Sequence, residues 1–249
     1  MRKRLIRRAL ASVSRRMQRP ELLATFYPGA RRELHEQIAI RAILAAALPG
    51  DGVYIDAGTN RGQVLGQAMR VAPDAHHFAF EPIPALAAEI ERSFPAVECR
   101  QLALGARPGQ AEFCHFRTFD GWSGLRRNPE ISDERGHPEY ITVTVSTLDI
   151  ELAEISPSVV KIDVEGAELD VLEGGRELLS RARPLIIFEH VASSAALYGA
   201  PPGGTWDLLS ELGYEIFSVT GDGPLSRARF VEGTTVVNWL ARAATSTAS

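Results

Sequence analysis

Cysteine is nearly absent: Cys99 and Cys114 are the only two in 249 residues, and their spacing fits neither a zinc-ligand pattern nor a C-x-x-C redox motif. Framework disulfides belong mainly to small secreted chains, so a reducing, cytoplasmic setting is expected. No apolar run reaches the length of a transmembrane helix, and the first residues lack the uninterrupted apolar stretch of a secretory leader. Acids are missing from the first twenty positions, where Arg2, Lys3, Arg4, Arg7, Arg8, Arg15, Arg16 and Arg19 all precede Glu21. The whole chain has a formal charge of -4, so setting those eight positive charges aside leaves -12 on the remainder. Such an acidic body is a poor match for a polyphosphate backbone and argues against a nucleic-acid substrate. Internal repeats are lacking too, and low complexity is confined to an Ala/Thr/Ser tail at 243–249, where fraying is expected.

The chain does have the means to build one sizeable core, since 45% of it is hydrophobic and 23% charged. The expectation is a basic arm over residues 1–31 and a single catalytic domain over 32–242. In the arm, Leu5, Ile6, Ala9, Leu10, Val13 and Met17 recur at helical spacing between arginines. Such a helix suits peripheral contact with an anionic inner membrane surface, packing on the domain or a second subunit, or life as a solvated extension. The oligomeric state stays open.

A helix is predicted over 32–48, stopped by Pro49-Gly50. Strands then alternate with helices: strands at 53–56, 77–81, 159–163 and 185–189, helices at 63–71, 85–94, 167–180 and 205–212. This repetition specifies a doubly wound α/β fold with a mainly parallel sheet. Strands at 214–219 and 235–240 are expected to pair antiparallel, because too little helical sequence separates them for a crossover. β segments at 111–116 and 141–145 flank an irregular stretch, 120–139, whose length places it at a substrate mouth.

Four strand ends carry chemistry. Asp56-Ala57-Gly58-Thr59-Asn60-Arg61-Gly62 puts a carboxylate and two glycines at the first strand–helix turn, where an open α/β sheet has its ligand crevice. The turn is not G-x-G-x-x-G, which disfavours a pyrophosphate cradle and with it a nicotinamide-dependent reductase; the glycines are equally compatible with merely shaping the turn. Phe80-Glu81-Pro82 ends the second strand with a carboxylate able to accept from both ribose hydroxyls, and Pro82 fixes the exit. In Val160-Lys161-Ile162-Asp163-Val164-Glu165, period two puts Lys161, Asp163 and Glu165 on one side, a cluster that needs a polar crevice. Glu189 and His190 close the next strand on opposite faces, each a candidate proton acceptor.

The blocks Ile55-Asp56-Ala57-Gly58-Thr59-Asn60-Arg61-Gly62, Phe80-Glu81-Pro82, Ala103-Leu104-Gly105, Lys161-Ile162-Asp163-Val164-Glu165-Gly166-Ala167-Glu168 and Phe188-Glu189 resemble those of the FkbM-type methyltransferases, in the same order. The resemblance covers roughly residues 52–190 and is carried best by the K-I-D-V-E-G-A-E run. It implies a seven-stranded, Rossmann-like class I methyltransferase sheet with an antiparallel final strand. It also implies S-adenosylmethionine as cofactor and methylation of a hydroxyl on a sugar, glycolipid or secondary metabolite. By that likeness Asp56, Gly58, Thr59, Asn60 and Gly62 flank the methionine part, Glu81 and Pro82 border the ribose, and Ala103 passes the adenine. Thr59 departs from the alanine more usual there.

The expected chemistry is in-line attack of an acceptor oxygen on a sulfonium methyl, with Asp163, Glu189 or His190 as base. A metal-free route ranks above Mg²⁺ assistance, because no cluster shows dedicated ligand spacing in the sequence. Trp122, His137 and Tyr140 beside the long loop are candidates to stack on a sugar ring or to anchor the loop. The rival class is a non-catalytic cofactor-binding module that recruits partners through the basic arm.

Overall fold

A computed structural model describes residues 28–233 and 236–244. Of the predicted arm, residues 1–27 lie outside the described residues and 28–31 belong to the first helix; of the predicted tail, 245–249 lie outside, whereas Ala243 ends a strand and Ala244 N donates to Gly213 O at 2.9 Å, so those two are ordered rather than frayed. Helix α1, Pro28–Ala47, starts four residues before the predicted position and buries Glu36, Ile40, Leu44 and Leu48 as an i, i+4 stripe. One oxygen of the acid in that stripe is bonded by strand β10, Asn238–Ala243, Glu36 Oε2 accepting from the Asn238 backbone N–H at 3.1 Å and its amide at 2.7 Å, while Oε1 lies 3.6 Å from Arg32 Nε.

Seven strands form the main sheet. In chain order they are β1 (Val53–Ala57), β2 (His76–Phe80), β3 (Glu98–Arg100), β7 (Val159–Ile162), β8 (Leu185–Glu189), β9 (Tyr214–Ser218) and β10, and across the sheet the order is β3-β2-β1-β7-β8-β10-β9. All neighbours pair in parallel except β10, which runs antiparallel to both β8 and β9. This is the predicted architecture, down to the reversed last strand. Apolar layers cover both faces, which is why β7 is buried throughout. Tyr54, Val159 and Ile187 face α1 and α2 (Leu65–Val71), whereas Ile55, Val160 and Phe188 face the opposite layer.

A second, three-stranded sheet, in order β4-β6-β5, caps one end: β4 (Ala103–Leu104), β5 (Gly109–Phe116) and β6 (Pro138–Ser146). The stretch predicted as irregular is partly ordered by a 3₁₀ turn at Asp120–Trp122 and a short helix α4, Asp133–Gly136, with Pro138 and Glu139 already in β6. Gly124 pairs back onto Cys114, and both cysteines are free thiols.

Two other predicted elements depart from expectation. The helix predicted over 167–180 is two, α6 (Glu168–Glu173) and α7 (Arg176–Ala182). The break falls at Gly174, where a Cβ would collide with the Gly105 carbonyl oxygen. The N-terminus of α7 is capped from outside by Asp149 on α5 (Leu148–Glu151), whose carboxylate accepts from Glu177 N at 3.1 Å and Leu178 N at 2.8 Å. The last strand runs Asn238–Ala243, beyond the predicted end at 240, and the Glu36 carboxylate holds Asn238 at its head.

Candidate active site

The strand order reverses at β1 and β7, and the crevice beyond their carboxyl ends holds a cavity of about 320 Å³. Its floor is the glycine turn. Gly58 N and Thr59 N both donate to the Phe80 carbonyl, at 3.1 and 3.2 Å, and Thr59 Oγ1 donates to Asp56 O at 2.9 Å. Gly58 (φ +77°) is required for a reason unconnected with ligand approach, since a Cβ there would collide with the Asp163 carbonyl oxygen. Gly62 packs against Phe94, just beyond the end of α3, Pro84–Ser93.

Glu81 is buried at the end of β2, with Oε2 accepting from Asn60 N at 2.8 Å and Oε1 from Ile83 N at 2.9 Å. Burial lifts its carboxyl to about 7 against the pull of those two amides. Each oxygen keeps a lone pair for one more donor, which suits a pair of vicinal hydroxyls. The residues present thus fit the ribose of an adenosyl cofactor. Asp120 and Asp163 line the same cavity together with Arg61 and Lys161.

On the other side stands a set of carboxylates. The turn after β7 is organised by Glu168, a buried acid whose Oε1 accepts from Val164 N and Gly166 N, both at 3.1 Å. That turn holds Glu165 at φ +57° and swings its carboxyl toward Asp163 and Glu189, so that oxygens of the three lie within 4.8 Å of one another. Burial, then repulsion from Asp163 and its neighbours, raises both Glu165 and Glu189 well above the ordinary carboxylate range. Lys161 sits behind them, 3.2 Å from Asp56 Oδ1 and 3.3 Å from Asp163 Oδ2, with its Nζ donating to Gly58 O at 3.0 Å. Burial pulls the Lys161 ammonium down, but Asp163 and Asp56 outweigh it and hold it above its ordinary value.

The 3₁₀ turn borders the cavity through Asp120 and Gly121. Arg61 pairs with Asp120 at 2.5 Å and with Glu89 at 2.8 Å, and His115 reaches Asp120 at 3.2 Å. Tyr198, following helix α8 (Ala192–Leu197), pins the end of this segment by accepting from Arg126 N at 3.1 Å.

Of the expected cofactor contacts, Gly58, Thr59, Asn60, Glu81 and Pro82 line the cavity; Asp56, Gly62 and Ala103 do not. Asp56 is fully buried behind Lys161, and next to Ala103 it is Leu104 that faces the space. Asp163 lines the cavity and meets Glu189 in the carboxylate cluster, while His190 turns to the other face of the sheet and stacks on Phe230 at 4.8 Å. Trp122 and Tyr140 are exposed and neither lines the cavity, and His137 caps α4 in a left-handed conformation. Sequence reasoning did not bring out Gln37 of α1, Arg61 and Asp120, all of which line the cavity. It also found no ligand-like grouping of acids, because the grouping of Asp163, Glu165 and Glu189 depends on the turn that Glu168 builds.

Residues 56–216 match the model of the FkbM methyltransferase domain. The chain belongs to the FkbM methyltransferase family. Over 182 residues it is 30% identical to the 2-O-methyltransferase NoeI of Sinorhizobium fredii, covering 65% of this chain and 72% of that protein. It is 29% identical over 172 residues to Methyltransferase 1 of Beauveria bassiana, covering 59% and 69%. Among solved structures it is similar to an FkbM methyltransferase of Methylobacillus flagellatus, with a TM-score of 0.49 and 15% identity over 78% of this chain; it spans only 44% of that longer protein. This FkbM methyltransferase has a sheet whose strand order and reversed last strand are those of the S-adenosylmethionine-dependent class I fold, which makes that molecule the implied methyl donor. No helix among the described residues is long and apolar enough to cross a membrane.

Proposed function

We propose that this chain is an O-methyltransferase that uses S-adenosylmethionine to methylate a hydroxyl of a sugar, glycolipid or related secondary metabolite. The observation that carries the reading is the opposition, across one cavity, of an amide-anchored Glu81 and a cluster of carboxylates. When bound, the cofactor supplies a methyl group already activated on a sulfonium. Glu81 would take the two ribose hydroxyls, the backbone of Gly58 to Asn60 would flank the methionine part, and Leu104 would border the adenine.

The protein's remaining tasks are alignment and removal of one proton from the attacking hydroxyl. Alignment dominates, and a positioned base adds about 10²–10⁴-fold. Asp163, beside Lys161 on the cavity wall, is the first candidate base, with Glu189 its neighbour. His190 ranks below both because its ring lies on the opposite face of the sheet. The 30% identity to a protein named a 2-O-methyltransferase supports oxygen as the acceptor atom. Three mutually close carboxyls are compatible with a metal-free site when protons are shared among them, as the raised Glu165 and Glu189 allow.

The test is calorimetry with S-adenosylhomocysteine on the wild-type chain and on Glu81→Ala, then labelled-methyl transfer to a glycan and glycolipid pool with Asp163→Ala as control. Loss of hydrogen bonds to a charged group predicts about 10–100-fold weaker binding for Glu81→Ala. Absence of heat with the wild-type chain, or equal binding by the variant, overturns the reading. Chelator is expected to leave transfer intact; full loss restored by Mg²⁺ would hand the carboxylates to a cation instead.

A further inference from the structure

Lys161 stands in the middle of the main sheet with its side chain only 7% exposed. Burying an ammonium is costly unless each of its three protons finds an oxygen. Three oxygens from three separate segments surround it: Asp56 Oδ1 inside β1 at 3.2 Å and Asp163 Oδ2 just past β7 at 3.3 Å as ion pairs, and the Gly58 carbonyl in the glycine turn at 3.0 Å as a hydrogen bond. Charge balance for Asp56 explains only the first of these. Neither Asp56 oxygen has a hydrogen bond, so the ion pair offsets its charge, while the shortest contact is spent on the Gly58 carbonyl, an uncharged group.

We infer that Lys161 is a positioning residue for methyl transfer: it ties the glycine turn to the Asp163 carboxylate and so fixes the donor side of the cavity relative to the acceptor side. The inference rests on the methyltransferase reading. Asp163 is 34% exposed, so without the ammonium its carboxylate is free to turn toward solvent. In-line transfer tolerates little such freedom, since a displacement of about 1 Å costs roughly 100-fold in rate. Arginine is no substitute, because its planar fork cannot converge on three oxygens around one nitrogen.

Lys161→Met alone would leave Asp56 as an unpaired buried charge, so loss of activity there would not separate positioning from unfolding. The decisive protein is Asp56→Asn/Lys161→Met, with Asp56→Asn as its baseline and Lys161→Arg as a second variant that keeps the charge. Relative to the baseline, the double variant is expected to lose kcat about 100-fold with acceptor KM changed less than about threefold. Its amides at 58–60 and 163–166 are expected to exchange faster together in hydrogen–deuterium exchange. Lys161→Arg should fold yet fail to rescue kcat. Baseline-like kcat and exchange in the double variant, or full rescue by arginine, overturns the proposal and leaves Lys161 as a counter-ion only. Should the wild-type chain not bind S-adenosylhomocysteine, the proposed function fails instead, and the exchange comparison still decides whether the tether exists.

Discussion

Glu81 combines two opposed influences, since two backbone amides favour its charged form and burial disfavours it more strongly, leaving it near 7. A protonated carboxyl loses acceptor capacity on one oxygen, so cofactor affinity should follow its ionisation. In calorimetric titrations between about pH 5.5 and 8.5, the Kd for S-adenosylhomocysteine is expected to weaken toward tenfold per unit below about 7 and to level off above it. Glu81→Gln should bind more weakly with no such slope. A wild-type curve that is flat across the range would remove Glu81 from the ribose. The residue was legible in the sequence because an acid at the end of the second strand has only one place to be in an open α/β sheet. Lys161 was legible as polar and inward, but its role was not: its Gly58 partner is 103 positions away, and only the pairing of β1 with β7 brings them together.

At the scale of elements, periodicity revealed most strands and helices, since a strand buried on both faces or an amphipathic helix writes its pattern locally. What it missed depends on contacts from elsewhere. The break between α6 and α7 falls at Gly174, where the nearby Gly105 carbonyl leaves no room for a side chain, and the head of β10 is held by a carboxylate on α1. Glu165 belongs to the same class, because its approach to Glu189 requires the left-handed turn that Glu168 organises. Asp149 gives a direct test of this non-local logic. It caps a helix to which it is not joined in sequence, so Asp149→Ala should cost about 1 kcal/mol. For a chain of this length that lowers Tm by ~2–4 °C, while Asp149→Asn should recover most of the loss. Neither change should alter the Kd for S-adenosylhomocysteine; an unchanged Tm for the alanine variant would show that water serves those amides as well.

For the whole molecule, the carboxylate cluster makes stability depend on pH in an unusual direction. Glu165 faces Asp163, Glu189, Glu168 and Lys161, and burial followed by repulsion from these acids raises its carboxyl from an ordinary 4.5 to well above the carboxylate range in the folded protein. Between the ordinary and the raised value the native state holds a proton that the unfolded chain releases, so the unfolded state binds fewer protons and stability falls as pH rises. The penalty is absent below the unfolded value and grows through the neutral range. Glutamine has the shape of the protonated acid and does not titrate, so Glu165→Gln should match the wild-type Tm near pH 5 and exceed it increasingly toward pH 9. Partial relief of even ~1 kcal/mol corresponds to about 2–4 °C at this size. Melting curves of the two proteins across that range decide it: a constant gap would mean that Glu165 ionises freely and that its neighbours, or a bound cation, already absorb its charge. If the gap widens, the protein is carrying acids that destabilise it, which is expected of groups retained for the chemistry of the cavity they face.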